Sequence, residues 1–96
     1  MVWTIHYTES ALKELRKLDR RQAERILDFM DTRIAPLDDP RTRGKALTGP
    51  LGDLWRFRVG DCRIICDILD AELIVLVIKV GKRGNVYRQR RRPGRP

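Results

Sequence analysis

The sequence predicts an α+β domain with the element order β-α-α-β-β-β, in which two N-terminal helices pack on one face of a small, mainly antiparallel four-stranded sheet. Two segments near the amino terminus carry apolar residues at helical spacing. Two later segments alternate around a tight turn, and a uniformly apolar segment follows them. Because each helix has only one apolar stripe, a sheet with one apolar face is the surface expected to cover it.

Length and charge limit the possible functions. The 96 residues suit one domain, predicted over 1–87, followed by a basic, flexible tail over 88–96. The net charge of +8 favours a polyanion as partner, although the tail alone holds five arginines. No apolar run reaches the ~20 residues of a membrane span, and the amino terminus lacks a signal-peptide pattern, so a cytoplasmic protein without membrane contact is expected.

The two cysteines predict neither a disulfide nor a metal site. Cys62 and Cys66 lie four residues apart in a predicted strand, which separates their Cα atoms by about 13 Å. A disulfide cannot bridge that distance. With one histidine in the chain, no metal site and no cofactor are expected.

The first strand and helix follow from periodicity. Residues 2–7 alternate, with Trp3, Ile5 and Tyr7 on one face. Thr8 is a suitable N-cap, and the apolar stripe of the helix after it ends near Leu18.

A second helix and a long loop come next. Asp19 is the expected cap of a helix whose apolar face has offsets of 0, 3, 4, 7 and 11, formed by Ala23, Ile26, Leu27, Met30 and Ile34. Proline, glycine and aspartate over 36–53 then favour an extended loop. Lys45 lies in this loop, where it would contact phosphate or only solvent.

The last three strands follow in succession. Trp55, Phe57 and Val59 alternate with polar neighbours, and "VGDC" gives a turn into a second alternating strand over 62–68. The run "LIVLVIKV" over 73–80 predicts a central strand covered on most of both faces.

Alternation places three arginines on the sheet face opposite the helices. Arg56 and Arg58 lie about 7 Å apart along one strand, and Arg63 joins them from the next. Their mutual repulsion would be relieved by a phosphate, to which a guanidinium can donate two hydrogen bonds. The alternative is an ordinary solvated sheet face.

The order and spacing of three segments resemble the RelE/ParE superfamily of bacterial toxins, closest to RelE-type mRNA interferases. These segments are "ALKELRKL", "DDPRTRGKALTGPLGDLWRFRVGDCRIICDI" and "IVLVIKVGKRGNVYR". The resemblance implies a RelE-like fold and a toxin of a type II toxin–antitoxin system. It also implies an endoribonuclease that cleaves mRNA in the ribosomal A site without a metal, by attack of a 2′-hydroxyl that leaves a 2′,3′-cyclic phosphate.

The resemblance also implies roles for individual residues. Arg56 and Arg58 would clamp phosphate, and Arg63 would stabilise the transition state. Arg83 would contact phosphate or act as the partner of the proton donor, and Tyr87 would act as base or orient the nucleotide. The further RNA contacts would be Lys45, Lys82 and Arg88. A guanidinium with a pKa above about 12 is not a base, which is why Tyr87 is considered; packing of Tyr87 and solvation of Arg83 stay open.

The implied partners are the ribosome, mRNA and a cognate, acidic antitoxin, with operator DNA bound only by the toxin–antitoxin complex. Two other classes of function stay open. One is a ParE-like inhibitor of DNA gyrase, and the other is a non-catalytic basic module that binds RNA or ribosomes.

Overall fold

A computed structural model describes residues 2–82 of the chain and confirms the predicted α+β class. The strands and helices follow in the order β1 (Thr4–Tyr7), α1 (Glu9–Lys17), α2 (Arg20–Phe29), β2 (Lys45–Ala46), β3 (Trp55–Val59), β4 (Cys62–Leu69) and β5 (Ile74–Lys82). A π-helical turn, Met30–Ile34, continues α2. No helix in this part of the chain is long and apolar enough to cross a membrane.

The sheet has five strands in the order β1-β5-β4-β3-β2, so the predicted count of four is wrong by one. The additional strand is β2, which lies in the segment predicted to be a loop and pairs with β3 through only two residues. A two-residue strand has no alternation to detect in a sequence. β1 pairs in parallel with β5, and the other pairs are antiparallel, as the prediction of a mainly antiparallel sheet requires.

The end of β1 and helix α1 cover the part of β5 that β1 does not reach. Thr8 caps α1 as predicted, since its Oγ1 accepts a hydrogen bond from the amide of Ala11. The same hydroxyl donates to the carbonyl of Ile78, and the Val80 amide donates to Glu14 Oε1 at 2.8 Å. These bonds satisfy backbone groups that β1 is too short to reach.

The second helix begins after Asp19, as predicted, and continues past Phe29 into the π-helical turn. Ile26, Met30 and Ile34 are fully buried against the sheet. Leu27, predicted on the same apolar face, is instead 39% exposed. Its position one residue after Ile26 turns it away from the sheet, toward a groove between the helices.

The core lies between the helices and the inner face of the sheet, where Phe57 and Val59 on β3 meet Cys62 and Ile64 on β4. The pairing of β5 with β4 contains a β-bulge. Ile65 pairs with Lys79 whereas Cys66 pairs with Val77, so one extra residue of β5 is accommodated between them. The bulge brings both Val77 and Val80 into the core.

Both cysteine thiols are free and buried, and burial raises the pKa of each above its ordinary value. Because the thiolate is the reactive form, we expect neither Cys62 nor Cys66 to react with a thiol reagent such as DTNB in the native protein at neutral pH. Both should react within the mixing time in denaturant. Rapid labelling of the native protein, assigned with Cys62→Ser, would contradict this expectation.

Candidate nucleic-acid interface

The strand register arranges basic side chains in two rows on the outer face of the sheet, away from the helices. In the first row, Lys45 on β2 is opposite Arg56 on β3, which is opposite Ile65 on β4, which is opposite Lys79 on β5. Side chains that are directly opposed project from the same face of a sheet. The row therefore places Lys45 and Arg56 next to each other.

The second row consists of Arg58, Arg63 and Gly81. Arg58 and Arg63 are directly opposed, so their Cβ atoms are about 5 Å apart. Glycine next to Arg63 contributes no side chain to this row. The structure thus brings Arg56, Arg58 and Arg63 to one face, as the alternation predicted.

Arg56 differs from the other arginines in its surroundings. The residue is partly buried, and its Nε is buried without a hydrogen-bond partner among residues 2–82. A buried donor that lacks an acceptor costs free energy, of the order of 1–3 kcal/mol. An anion bound at this position would supply the acceptor.

A groove of about 240 Å³ opens at the edge of β3, beyond the end of the short β2. Four basic side chains and one aromatic ring line it, namely Arg43, Lys45, Arg56, Arg58 and Phe29. No carboxylate belongs to this lining. The guanidinium carbon of Arg43 lies 5.9 Å from the centroid of the Phe29 ring, a cation–π distance.

An ion-pair network anchors the loop that brings Arg43 and Lys45 to the groove. Arg41 donates to both carboxylate oxygens of Asp70, at 3.1 and 2.6 Å, and its guanidinium carbon lies 5.7 Å from the centroid of the Trp55 ring. The hydrogen bond from Arg41 holds the pKa of Asp70 below its ordinary value. The loop is thereby fixed both to β3 and to the turn between β4 and β5.

Gly44 allows the same loop to approach β3 closely. A Cβ atom at this position would lie 3.0 Å from Cε1 of Phe57 and 3.3 Å from the backbone oxygen of Arg56. Only glycine therefore brings this segment against the strand without displacing it. The close approach sets β2 in register with β3.

Four of the predicted site residues need separate comment. Arg83, Tyr87 and Arg88 lie outside the described residues, so their roles stay predictions. Lys82 is the last residue of β5 and is opposite Cys62, whose side chain faces the core, whereas its neighbour Gly81 is opposite Arg63. Lys82 is therefore on the helix side of the sheet, apart from Arg56 and Arg63.

The sequence analysis missed two residues of the groove, Arg43 and Phe29. Arg43 lies in the predicted loop, where no periodicity indicates the direction of a side chain. Phe29 is near the end of α2, off the predicted apolar stripe. The available signal was composition alone, since Arg41, Arg43 and Lys45 follow one another at alternate positions.

The geometry favours binding of an extended polyanion. A strip of guanidinium groups across a sheet, continued by a groove without carboxylates, attracts phosphates and leaves room for their substituents. The cations can also stabilise negative charge that develops on a phosphate during a reaction.

Comparisons with known proteins show the family of the chain. A family model described as the ParE toxin of type II toxin–antitoxin systems, parDE, matches residues 5–87. The mRNA interferase toxin RelE of Escherichia coli (strain K12) is 29% identical over 85 residues, covering 86% of this chain and 85% of that protein. Toxin RelG of Mycobacterium tuberculosis is 27% identical over 89 residues, covering 93% and 100%.

A solved structure shows the same fold. The crystal structure of the toxin–antitoxin complex RelBE2 from Mycobacterium tuberculosis contains a chain with a TM-score of 0.79 and 25% identity to this one, covering 88% of this chain and 95% of that one. The fold shared with this toxin–antitoxin complex and the basic face of the sheet place the chain in the class of small basic toxins. The chain belongs to the ParE toxin family of type II toxin–antitoxin systems, which confirms the predicted RelE/ParE membership.

Proposed function

We propose that this toxin is an endoribonuclease that cleaves mRNA in the A site of the ribosome without a metal. The observation that carries the proposal is the arrangement of Arg56, Arg58 and Arg63 on one sheet face beside a groove free of carboxylates. The two relatives named mRNA interferase, each 29% identical over 85 residues, support the same activity.

In the proposed reaction, the 2′-hydroxyl attacks the adjacent phosphate and the 5′-oxygen leaves, giving a 2′,3′-cyclic phosphate and a 5′-hydroxyl. Arg56 and Arg58 clamp the phosphate, and Arg63 stabilises the charge of the pentavalent transition state. The 2′-hydroxyl proton goes to a base, for which we propose Tyr87, and a proton returns to the leaving oxygen. Arg83, Lys45 and Arg88 would contact flanking phosphates, whereas Lys82, on the helix side of the sheet, would not.

The proposal includes partners and location. A cytoplasmic toxin of this kind would act on translating ribosomes and be held inactive by a cognate acidic antitoxin, attracted by the basic surface. The solved RelBE2 complex, which joins a toxin to its antitoxin, supports this partner. Operator DNA would be bound by the toxin–antitoxin complex only.

Primer extension on a defined mRNA in a purified translation system tests the proposal. We expect cuts within the A-site codon that require ribosomes and that weaken by at least about 10²-fold in Arg63→Ala and Tyr87→Phe. The charge-matched control is Arg21→Ala, because Arg21 is exposed on α2 and lines neither the groove nor the sheet face.

The second candidate is the ParE-like inhibition of DNA gyrase that the sequence analysis left open, and the matching family model is named for the ParE toxin. A supercoiling assay with the same protein preparation separates the two. Intact mRNA together with blocked supercoiling would reject the ribonuclease and establish the gyrase inhibitor. Intact mRNA with ribosomes stalled and gyrase active would instead indicate a binding module.

A further inference from the structure

We infer that a second phosphate-binding subsite, lined by Arg25, Arg33 and Arg43, holds backbone phosphates of the RNA beyond the nucleotide that reacts. The inference rests on the proposed function, because it extends the same strand of RNA along the protein. None of these arginines belongs to the site predicted from the sequence.

The subsite is a second cavity, of about 370 Å³, between the end of α2, the π-helical turn and the hairpin joining β3 to β4. It shares three residues with the groove at the edge of β3, namely Phe29, Arg43 and Arg58. The two cavities are therefore contiguous. A chain bound at Arg56 and Arg58 can pass directly from one to the other.

The charge of the second cavity is strongly positive. Its lining contains four arginines, the three of the subsite and Arg58, and one carboxylate, Asp28. No ion pair within residues 2–82 joins any of these arginines to an acidic side chain. Unneutralised guanidinium groups around a cavity repel one another, and a bound phosphate would offset that repulsion.

The hairpin is shaped to accept the guanidinium of Arg25. Gly60 has a φ of +60°, as the first central residue of a two-residue hairpin loop that begins with glycine. A Cβ atom at Gly60 would lie 3.3 Å from Nη1 of Arg25. The absence of a side chain at Gly60 therefore allows Arg25 to lie against the turn beside Arg58.

RNA fits this surface better than an acidic protein segment does. Protein interfaces depend on apolar and aromatic anchors buried at their centre. Here the ring of Phe29 already lies under Arg43, and Val59 is buried in the core. A polar, positively charged cavity that continues a phosphate clamp is the pattern of a nucleic-acid interface.

The first test measures binding of a fluorescent 2′-O-methyl RNA of about 12 nucleotides, which has no free 2′-hydroxyl to react. We expect the double variant Arg25→Ala/Arg33→Ala to weaken binding about tenfold. The slope of log K against log salt concentration should fall by about 1.4, because each phosphate contact to a single strand contributes about 0.7. This variant keeps the C-terminal arginines.

The control is Lys17→Ala/Arg21→Ala, which removes the same charge from exposed positions on α1 and α2. It should leave affinity and slope unchanged. An equal loss in both double variants, on free RNA and in ribosome cosedimentation, would show general charge attraction and overturn the subsite. Loss confined to ribosomes would assign the phosphates to ribosomal RNA and overturn the path along the message, whereas loss on free RNA would support that path.

Two further outcomes separate this inference from the proposed function. If an acidic peptide such as polyglutamate loses affinity for Arg25→Ala/Arg33→Ala while RNA does not, the subsite binds protein and the inference is wrong. If the wild type neither binds nor cleaves RNA, the proposed function itself fails. Cleavage that depends on Arg63 but not on Arg25 or Arg33 leaves that function intact and rejects only the subsite.

A glycine pair gives an independent test of the position of Arg25. Gly60→Ala and Gly49→Ala both place a side chain at positive φ, but only at Gly60 does the new Cβ meet Arg25, since nothing lies within 4 Å of that position at Gly49. We expect similar losses of thermal stability from the backbone strain. RNA affinity should fall severalfold only in Gly60→Ala, and equal affinities would contradict the inferred geometry.

Discussion

Arg58→Ala should lower the single-turnover rate of mRNA cleavage by about 10²–10³-fold, the usual effect of removing one preorganised electrostatic contact from a reacting group. Arg58 is exposed, lies directly opposite Arg63 and lines both cavities. Like charges that are directly opposed destabilise a strand pair by up to about 1 kcal/mol. We therefore expect the free energy of unfolding to stay unchanged or to rise by a few tenths of a kcal/mol.

The two effects together distinguish function from folding, because the cleavage rate should fall while the free energy of unfolding should not. Urea denaturation gives the stability, and quenched cleavage on programmed ribosomes gives the rate. Arg21→Ala, which removes one exposed charge from α2, should change neither quantity. If Arg58→Ala loses stability and activity together, the arginine supports the hairpin and the phosphate clamp is assigned to the wrong residue.

The sequence was informative where alternation is long enough to be counted. β3 and β4 each carry several alternating residues, which is why the placement of Arg56, Arg58 and Arg63 on one face was predictable. The caps Thr8 and Asp19 were predictable from their side-chain chemistry. Alternation and helix capping both depend on residues that are close in sequence, so contacts between distant segments do not change them.

Features that depend on contacts between distant segments were not predictable. β2 exists because Gly44 packs on Phe57 and because Arg41 pairs with Asp70, which is 29 residues away. The exposure of Leu27 depends on the direction in which α2 crosses the sheet. The groove is formed by these same contacts, so its residues could not be assembled from the sequence.

The strand order limits which described residue could be the base of the proposed reaction. Among the described residues, the groove lining offers cations and an aromatic ring but no histidine, carboxylate or tyrosine. The single histidine, His6, is on β1, and β5 and β4 separate β1 from β3. The described cations can therefore stabilise charge, while proton transfer requires a group elsewhere, for which Tyr87 is our proposal.

Phe57→Ala should lower the free energy of unfolding by about 3–5 kcal/mol, the typical cost of truncating a buried phenylalanine. Phe57 is 1% exposed and packs between the two layers of the domain, opposite Ile64. A domain of this size has a stability of about 5–15 kcal/mol, so the variant would lose a large part of it. Truncation of the ring would also remove the side chain that Gly44 packs against, and with it the contact that holds β2 against β3.

Leu27→Ala is the matched comparison for Phe57→Ala, because it truncates a large apolar side chain that is 39% exposed. Its cost should stay near 1 kcal/mol, since most of the lost side chain was not enclosed. Urea titrations with equal m-values would give both differences, and equal costs would show that Phe57 is not the centre of the core.

The comparison also bears on the site, because Arg56 and Arg58 flank Phe57 on β3 and project from the opposite face. The burial of this one ring thus fixes the direction of both arginines, and a protein that loses it should lose RNA cleavage even at temperatures where it stays folded.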